Sequence, residues 1–306
     1  MKALLLLLLM AIPAHAATFY ITVAGLGGEP DYEQRFTATA RDLDKLYKAT
    51  PGAQVITLTG KDSTRAKLTD ALASVARDAK PEDDLVLTLI GHGSFDNIEY
   101  KFNLVGPDIS AAELAQLLDR IPARRQLVVN TTSCSGGSIA ALERPGRAVI
   151  TATKTGTEKN ATVFARYWTE GLQDPTTDLD KSEAISAMEA LRYADQKTAA
   201  FYTEQKRLAT EHPVFEDTGH GEAIKVADAK GKEGELLNTF TVLRIGEAQA
   251  AMNDPAKRDL LTKKEELEQK IDALKYQKAA MDAADYKKQL TDALLELAKV
   301  QEALEQ

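Results

Sequence analysis

Sulfur is scarce in this 306-residue chain, and its 38 Lys and Arg residues are outnumbered by 46 Asp and Glu. It holds one cysteine, Cys134. An odd thiol cannot be half of an internal disulfide, so Cys134 is a buried spectator, an intermolecular partner or a reactive group. After the first residues no apolar run approaches the roughly 20 residues needed to cross a bilayer, which excludes a membrane span. Formal charge is −8, and −9 once Lys2 leaves with the N-terminal segment (−8 − 1). That balance argues against nucleic acid or an anionic membrane as partner. Acidic and basic residues are well mixed, so disorder is not indicated either.

What is present begins with an export signal. Met1-Lys2 is a short basic start, Ala3 to Ile12 an apolar core, and Ala14-His15-Ala16 a small-x-small site predicting cleavage before Ala17. No cysteine follows at the cut, so a lipid anchor has no attachment point. The expected location is therefore secreted or periplasmic. About 290 residues remain, enough for one large domain and an appendage. The expected division is a signal at 1–16, a main domain at 17–250 and a helical appendage at 251–306.

Strand and helix patterns alternate along the main domain. Phe19 to Val23, Gln54 to Leu58, Leu85 to Ile90, Gln126 to Val129 and Arg147 to Thr151 read as strands. The third is apolar throughout, as a strand buried on both faces should be. Between them, Tyr32 to Tyr47 has helical spacing, Ser63 is the expected cap of a helix running through Ala79, and Ser110-Ala-Ala-Glu113 is a capping box opening a helix to Leu118 or Ile121. Ile98 to Leu104 alternates like a half-exposed ribbon, Glu82-Asp83-Asp84 reads as a solvated turn, and a long helix with Tyr193, Phe201 and Tyr202 is expected from near Ser182. Tyr167 and Trp168 fit helix packing against the sheet. This rhythm implies an α/β fold with a mostly parallel sheet covered on both faces.

From Asp254-Pro255 the texture changes. Pro255 suits a first helical turn capped by Asp254. Leu260, Leu267, Ile271, Leu274 and Met281 form one apolar series. Tyr286, Leu290, Leu294, Leu297 and Leu304 form a second, out of phase with it. The break at Met281 to Asp285, with Asp282 or Asp285 as a new cap, predicts a coiled-coil hairpin, with one long stuttering helix as the alternative. A self-association device through residues 255–306 is its plainest use.

Two segments carry chemistry: Leu85-Val-Leu-Thr-Leu-Ile-Gly-His92-Gly93-Ser94 and Gln126-Leu-Val-Val-Asn-Thr-Thr-Ser-Cys134-Ser-Gly-Gly-Ser138. In open parallel sheets ligands bind at the carboxyl ends of strands, and His92 and Cys134 each follow one such end. A thiol of ordinary pKa about 8.5 is mostly protonated near neutrality, so a nearby imidazole must take its proton or pair with the thiolate.

This pair of motifs resembles the catalytic signature of the caspase–legumain group (clan CD) of cysteine peptidases. The closer similarity is to the legumain-like, asparaginyl endopeptidase branch, over roughly residues 18 to 222. The resemblance implies a caspase-like α/β fold, Cys134 as nucleophile, His92 as its base, and the N–H groups of Gly93 and Cys134 as donors to the oxyanion. It also implies a peptide or protein substrate and no cofactor. The chain departs from the pattern in two places. Where those enzymes carry an asparagine that orients the histidine, Leu26-Gly27-Gly28 stands here, so a dyad is expected, its imidazole oriented by a backbone carbonyl or water. A charged residue of the specificity pocket is replaced by Thr132. Glu158-Lys159-Asn160 corresponds to another pocket segment, and Arg35 supplies a basic group, making Arg35, Thr132, Glu158 and Asn160 the candidate substrate contacts. Cleavage after asparagine is not carried over. His212 and His220 with Glu216 or Asp217 match no recognised zinc spacing, and a polar loop accounts for them. The reading is a cysteine endopeptidase working through an acyl-enzyme, with transpeptidation left open. The alternative is a catalytically silent scaffold that assembles through its C-terminal helices.

Overall fold

The computed structural model describes residues 16–226 and 233–305, so most of the expected signal segment lies outside the described residues. Chain order runs β1 (Thr18–Ala24), α1 (Pro30–Lys48), β2 (Gln54–Leu58), α2 (Arg65–Asp78), β3 (Asp84–Ile90), β4 (Gly93–Phe95), β5 (Tyr100–Phe102), β6 (Ile109–Ser110), α3 (Ala111–Leu118), β7 (Arg125–Asn130), α4 (Ile139–Leu142) and β8 (Arg147–Thr151). It continues with α5 (Phe164–Gln173), β9 (Ala184–Ser186), α6 (Ala187–Glu204), β10 (Val214–Glu216), α7 (Glu235–Thr239), β11 (Thr241–Arg244), α8 (Gly246–Ala251), α9 (Pro255–Gln277) and α10 (Ala283–Glu305).

Six strands form the central sheet in the order β10-β8-β7-β3-β1-β2. All neighbours are parallel except β10, which closes one edge antiparallel to β8. Side chains alternate between the faces, as the pleat requires. Phe19, Ile21, Val23, Leu85, Leu87 and Leu89 join Leu68, Leu72, Leu114 and Leu118 of α2 and α3 in one core. Tyr20, Val86, Ile90 and Leu127 join Leu43, Tyr47, Phe164, Trp168 and Leu191 of α1, α5 and α6 in the other. The expected α/β sheet covered on both faces is what the chain forms.

Local signals place several ends where the pattern puts them. Ser110 and Glu113 make the reciprocal capping box of α3. Asp254 caps α9, and Asp282 accepts from the Ala284 and Asp285 N–H groups at the start of α10. Other expectations are corrected. Thr64, not Ser63, caps α2, because its hydroxyl accepts from Lys67 N–H while Ser63 is buried. The long helix starts at Ala187, where Ser186 and Glu189 form a second capping box; residues 184–186 are instead drawn into pairing with β11, far along the chain. The ribbon is a three-stranded antiparallel sheet of β4, β5 and β6.

The acidic turn at 82–84 is not solvated. Asp83 and Asp84 are only 3% and 7% exposed. Asp84 holds Arg125 with both carboxylate oxygens, at 3.0 and 2.5 Å. Asp83 accepts from the N–H groups of Ala17 and Lys80, each at 2.7 Å.

The C-terminal helices form the expected antiparallel pair, but the pair is docked rather than free-standing. Leu261, Leu267, Ile271 and Leu274 of α9 are buried, with Leu261 rather than Leu260 taking the inward place. Arg244 of β11 grips Glu265 through two nitrogens, Lys264 donates to the Ser182 carbonyl at 2.6 Å, and Asn238 donates to Tyr276. Among the described residues no helix is long and apolar enough to cross a membrane.

Candidate active site

β3 and β7 are adjacent and parallel, paired from Asp84–Arg125 to Leu89–Asn130. His92 follows the end of the first and Cys134 the end of the second, so topology alone brings the two loops to one edge. Side-chain and backbone hydrogen bonds then stitch the loops together. Thr131 N–H and Oγ1 both donate to the Leu89 carbonyl. Ser133 Oγ donates to the Gly93 carbonyl at 3.0 Å and accepts from Gly93 N–H at 3.1 Å. The approach is so close that a Cβ on residue 93 would lie 2.4 Å from the Ser133 carbonyl oxygen and 2.5 Å from the Tyr100 ring. Glycine is therefore a packing requirement there, not only a convenience of the motif.

His92 stands half-buried against the first half of α1. Its ring meets Tyr32 edge-on at 4.6 Å and Phe36 at 5.1 Å between centroids. Among the described residues no side-chain carboxamide orients it. It has a backbone hydrogen bond with Gly27 instead, and the Gly27 peptide is itself fixed by donating its N–H to Glu33 Oε2 at 3.0 Å. Burial lowers the imidazole pKa, the Gly27 bond works against that, and the charge of Arg35 lowers it further. The base is thus neutral near pH 7.

Cys134 is 2% exposed and left-handed, with φ 58°. For a residue with a Cβ that conformation costs roughly 1–2 kcal/mol, and such strain gathers at functional positions. It is held by what surrounds it. Gly137 N–H donates to the Cys134 carbonyl, and a chain of buried side chains lies under the loop. Tyr100 OH reaches Thr132 Oγ1 at 2.7 Å and Asn130 Oδ1 at 3.2 Å, and Asn130 Nδ2 donates to Ser138 Oγ at 3.0 Å. Ser138 in turn donates to the Ser135 carbonyl. Burial pushes the thiol pKa up, and Lys159 pulls it weakly down. Both shifts favour the uncharged forms, a protonated thiol and a neutral imidazole, and neither group owes its shift to the other.

Both expected oxyanion donors are engaged in this arrangement. Gly93 N–H is on Ser133 Oγ, and Cys134 N–H is on the Glu158 carbonyl at 2.8 Å. Glu158 is anchored in turn: its carboxylate accepts from Lys154 N–H and meets His212 Nδ1 at 2.5 Å. Of the other expected contacts, Arg35 is exposed over the Tyr32 ring beside His92, and Asn160 is exposed on the loop after Glu158. Thr132 is fully buried with its hydroxyl on Tyr100 and Asn130, so it faces the fold interior instead of a substrate groove. Ser133, Glu33 and Lys159 carry no role in the sequence reading, and His212, read there as part of a polar loop, instead meets Glu158. Ser133 and His212 depend on partners 40 and 54 residues away, and Glu33 acts on a backbone N–H, so no local pattern marks them.

The polar segment at 211–221 is ordered by buried carboxylates rather than solvated. Glu211 accepts from Val163 and Phe164 N–H at the start of α5, and burial pushes its pKa up to about 7. Glu216 accepts from Thr218 and Gly219, and Asp217 from Gly234 and Leu237. Asp178, Asp180 and Glu189 bring ligand atoms within 4.8 Å of one another, but far from Cys134 in the chain and already bonded to backbone N–H groups of residues 179–186. Cavities of about 910 and 790 Å³ open around Asp217–His220 and between α6 and α9. Neither includes His92 or Cys134, so chemistry and not volume marks the site.

The family model described as the Peptidase C13 family matches residues 46–213, which include both motifs. Among solved structures, a Geobacter sulfurreducens protein is similar at 14% identity, over 68% of this chain and 95% of that one, with a TM-score of 0.46. The Drosophila initiator caspase Dronc is similar at 10% identity, over 69% and 82%, with a TM-score of 0.43. Caspase-1 from Spodoptera frugiperda is similar at 14% identity, over 66% and 86%, with a TM-score of 0.45. No curated protein matches the chain.

Proposed function

This chain belongs to the peptidase C13 family, the legumain family of cysteine peptidases, and on that premise we propose that it is a secreted or periplasmic endopeptidase working through a Cys134–His92 dyad. The observation that carries the reading is the delivery of the His92 and Cys134 loops to one sheet edge by neighbouring parallel strands, the loops being joined through Ser133 and Gly93.

The neutral imidazole acts as general base. It takes the Sγ proton as sulfur attacks the peptide carbonyl carbon, and returns it to the leaving amine as the tetrahedral intermediate collapses to a thioester. Water, deprotonated by the same imidazole, then releases the acid and regenerates the thiol. The oxyanion takes hydrogen bonds from Gly93 and Cys134 N–H, which requires the substrate oxygen to replace Ser133 Oγ and the Glu158 carbonyl. Exclusion of water from the thioester would turn the same path to transpeptidation. Arg35, Glu158 and Asn160 stand as the substrate-contacting candidates, and Thr132 acts from beneath through Tyr100 and Asn130.

The second reading is the silent scaffold. It is favoured by the same two occupied donors and by the raised thiol. Incubating the mature chain with a mixed peptide library and sequencing the new termini by mass spectrometry separates the two. Cleavage lost in both Cys134→Ala and His92→Ala supports the peptidase; no cleavage by the wild type sinks it.

A further inference from the structure

The buried carboxylate of Asp83 has no role in the peptidase edge, which lies at the opposite ends of the strands. Its two oxygens accept from Lys80 N–H and Ala17 N–H, each at 2.7 Å, and Asp84 N–H donates back to the Ala17 carbonyl at 3.0 Å. Among the described residues no cation pairs with it, although it is only 3% exposed. Neighbouring cations are committed elsewhere: Arg125 to Asp84, Arg244 to Glu265, and the Arg258 guanidinium to the Met252 carbonyl. Ala17 is the residue at which the sequence predicts the mature chain to start, and Ala16 before it is exposed. The nitrogen held by Asp83 is therefore the one that leader cleavage would set free.

We propose that Asp83 is the receptor for the α-ammonium group made when the leader is removed, so that processing at Ala16–Ala17 converts a neutral amide contact into a buried ion pair. The inference rests on the leader reading above. Hydrolysis of the bond by a leader peptidase consumes one water: its oxygen completes the Ala16 carboxylate, and its hydrogens make Ala17 N an ammonium. Charge-assisted hydrogen bonds are roughly twice as strong as neutral ones, and this one forms where water is largely excluded. It clamps the residue just before β1 to the residue just before β3, the strand that leads to His92. The unprocessed chain holds the same geometry with the weaker bond.

The pair also sets a pH dependence. An α-amino group titrates near 7.7–8.0 when free, and the carboxylate raises that value in the folded chain. The stabilisation is then fully present below about pH 7.7 and is lost as pH rises through the raised value. The charged groups around the ammonium are Asp83 itself, the Asp84–Arg125 pair, Lys80 and Arg124 from the flanking turns, and Arg244 and Arg258, which line a cavity of about 140 Å³ with Ala17.

The test uses full mature chains with defined starts, produced by a site-specific protease: free Ala17, N-acetylated Ala17, and Ala17 extended by Gly-Ser. At pH 6.5 the free start should melt roughly 2–4 °C above the other two. At pH 10 the difference should vanish. In Asp83→Asn the difference should vanish at both pH values. Equal melting of all three starts at pH 6.5, or a difference that survives at pH 10, overturns the pairing. The acetylated comparison decides this even where Asp83→Asn fails to fold. N-terminal sequencing of the exported chain decides the cut separately: a start at Ala17 supports the processing step, and any other start overturns it while leaving the recombinant comparison intact.

Discussion

A thiol shifted up and an imidazole shifted down make a prediction that a preformed ion pair would not. With its pKa pushed above the ordinary 8.5, no more than about 3% of Cys134 is thiolate at pH 7. Iodoacetamide reacts only with thiolate, so its rate at pH 7 should be under about one-thirtieth of the alkaline plateau, rising tenfold per unit to beyond pH 8.5. Burial to 2% exposure slows it further. Because the thiol is shifted by burial and Lys159 rather than by the imidazole, His92→Ala should leave that profile unchanged. A peptidyl ketone reagent that fills the cleft is different. Its attack needs a base, so His92→Ala should slow it about 10²- to 10⁴-fold at pH 7. Both rates are read by intact-protein mass spectrometry between pH 5 and 10. Fast iodoacetamide labelling at pH 6 that collapses in His92→Ala would refute the neutral pair. Peptidyl labelling indifferent to His92 would remove the histidine from its role as base.

Three further outcomes follow from named contacts. Glu211 binds its proton more tightly folded, near pH 7, than at the ordinary 4.5, so it favours folding at low pH and loses that advantage as pH rises through 7. Urea unfolding should show stability falling between pH 5 and 8, by up to about 3 kcal/mol from this residue, with a flatter slope in Glu211→Gln; a flat wild-type profile would contradict it. Gly93→Ala should abolish peptide cleavage while costing roughly 1–3 kcal/mol of stability, since the added methyl meets backbone that cannot turn aside; full activity in that variant would show the loops less tightly joined than described. Glu265→Ala should destabilise by about 2 kcal/mol by stranding Arg244, whereas Leu294→Ser on the open side of α10 should stay within about 0.5 kcal/mol, both read by thermal melting.

How far residues could be read ahead of the fold depends on how local their partners are. The Ser110–Glu113 box is three residues wide, and it caps α3 as its pattern says. Ser186 and Glu189 carry the same pattern, yet the helix was expected from Ser182, because only pairing with β11 more than 50 residues on makes 184–186 a strand. Asp83 and Asp84 look like a surface turn until Ala17 and Arg125 arrive beside them. At the candidate site, the motifs named His92 and Cys134, and adjacency of β3 and β7 brings their loops to one edge. The acceptors that occupy both oxyanion donors are a backbone carbonyl and a serine hydroxyl, groups with no distinctive signature in a sequence.

The burial of Cys134 has a consequence for the lifetime of the protein. Sulfur oxidises through its thiolate, first to sulfenic acid and then irreversibly beyond it. A thiol that rests protonated and shielded is a poor target for peroxide and for exchange with small disulfides. With one cysteine in the chain, a single oxidation would end the proposed activity, and no second thiol stands by to resolve it. The low resting reactivity expected to slow iodoacetamide would thus also let the proposed nucleophile endure among oxidants.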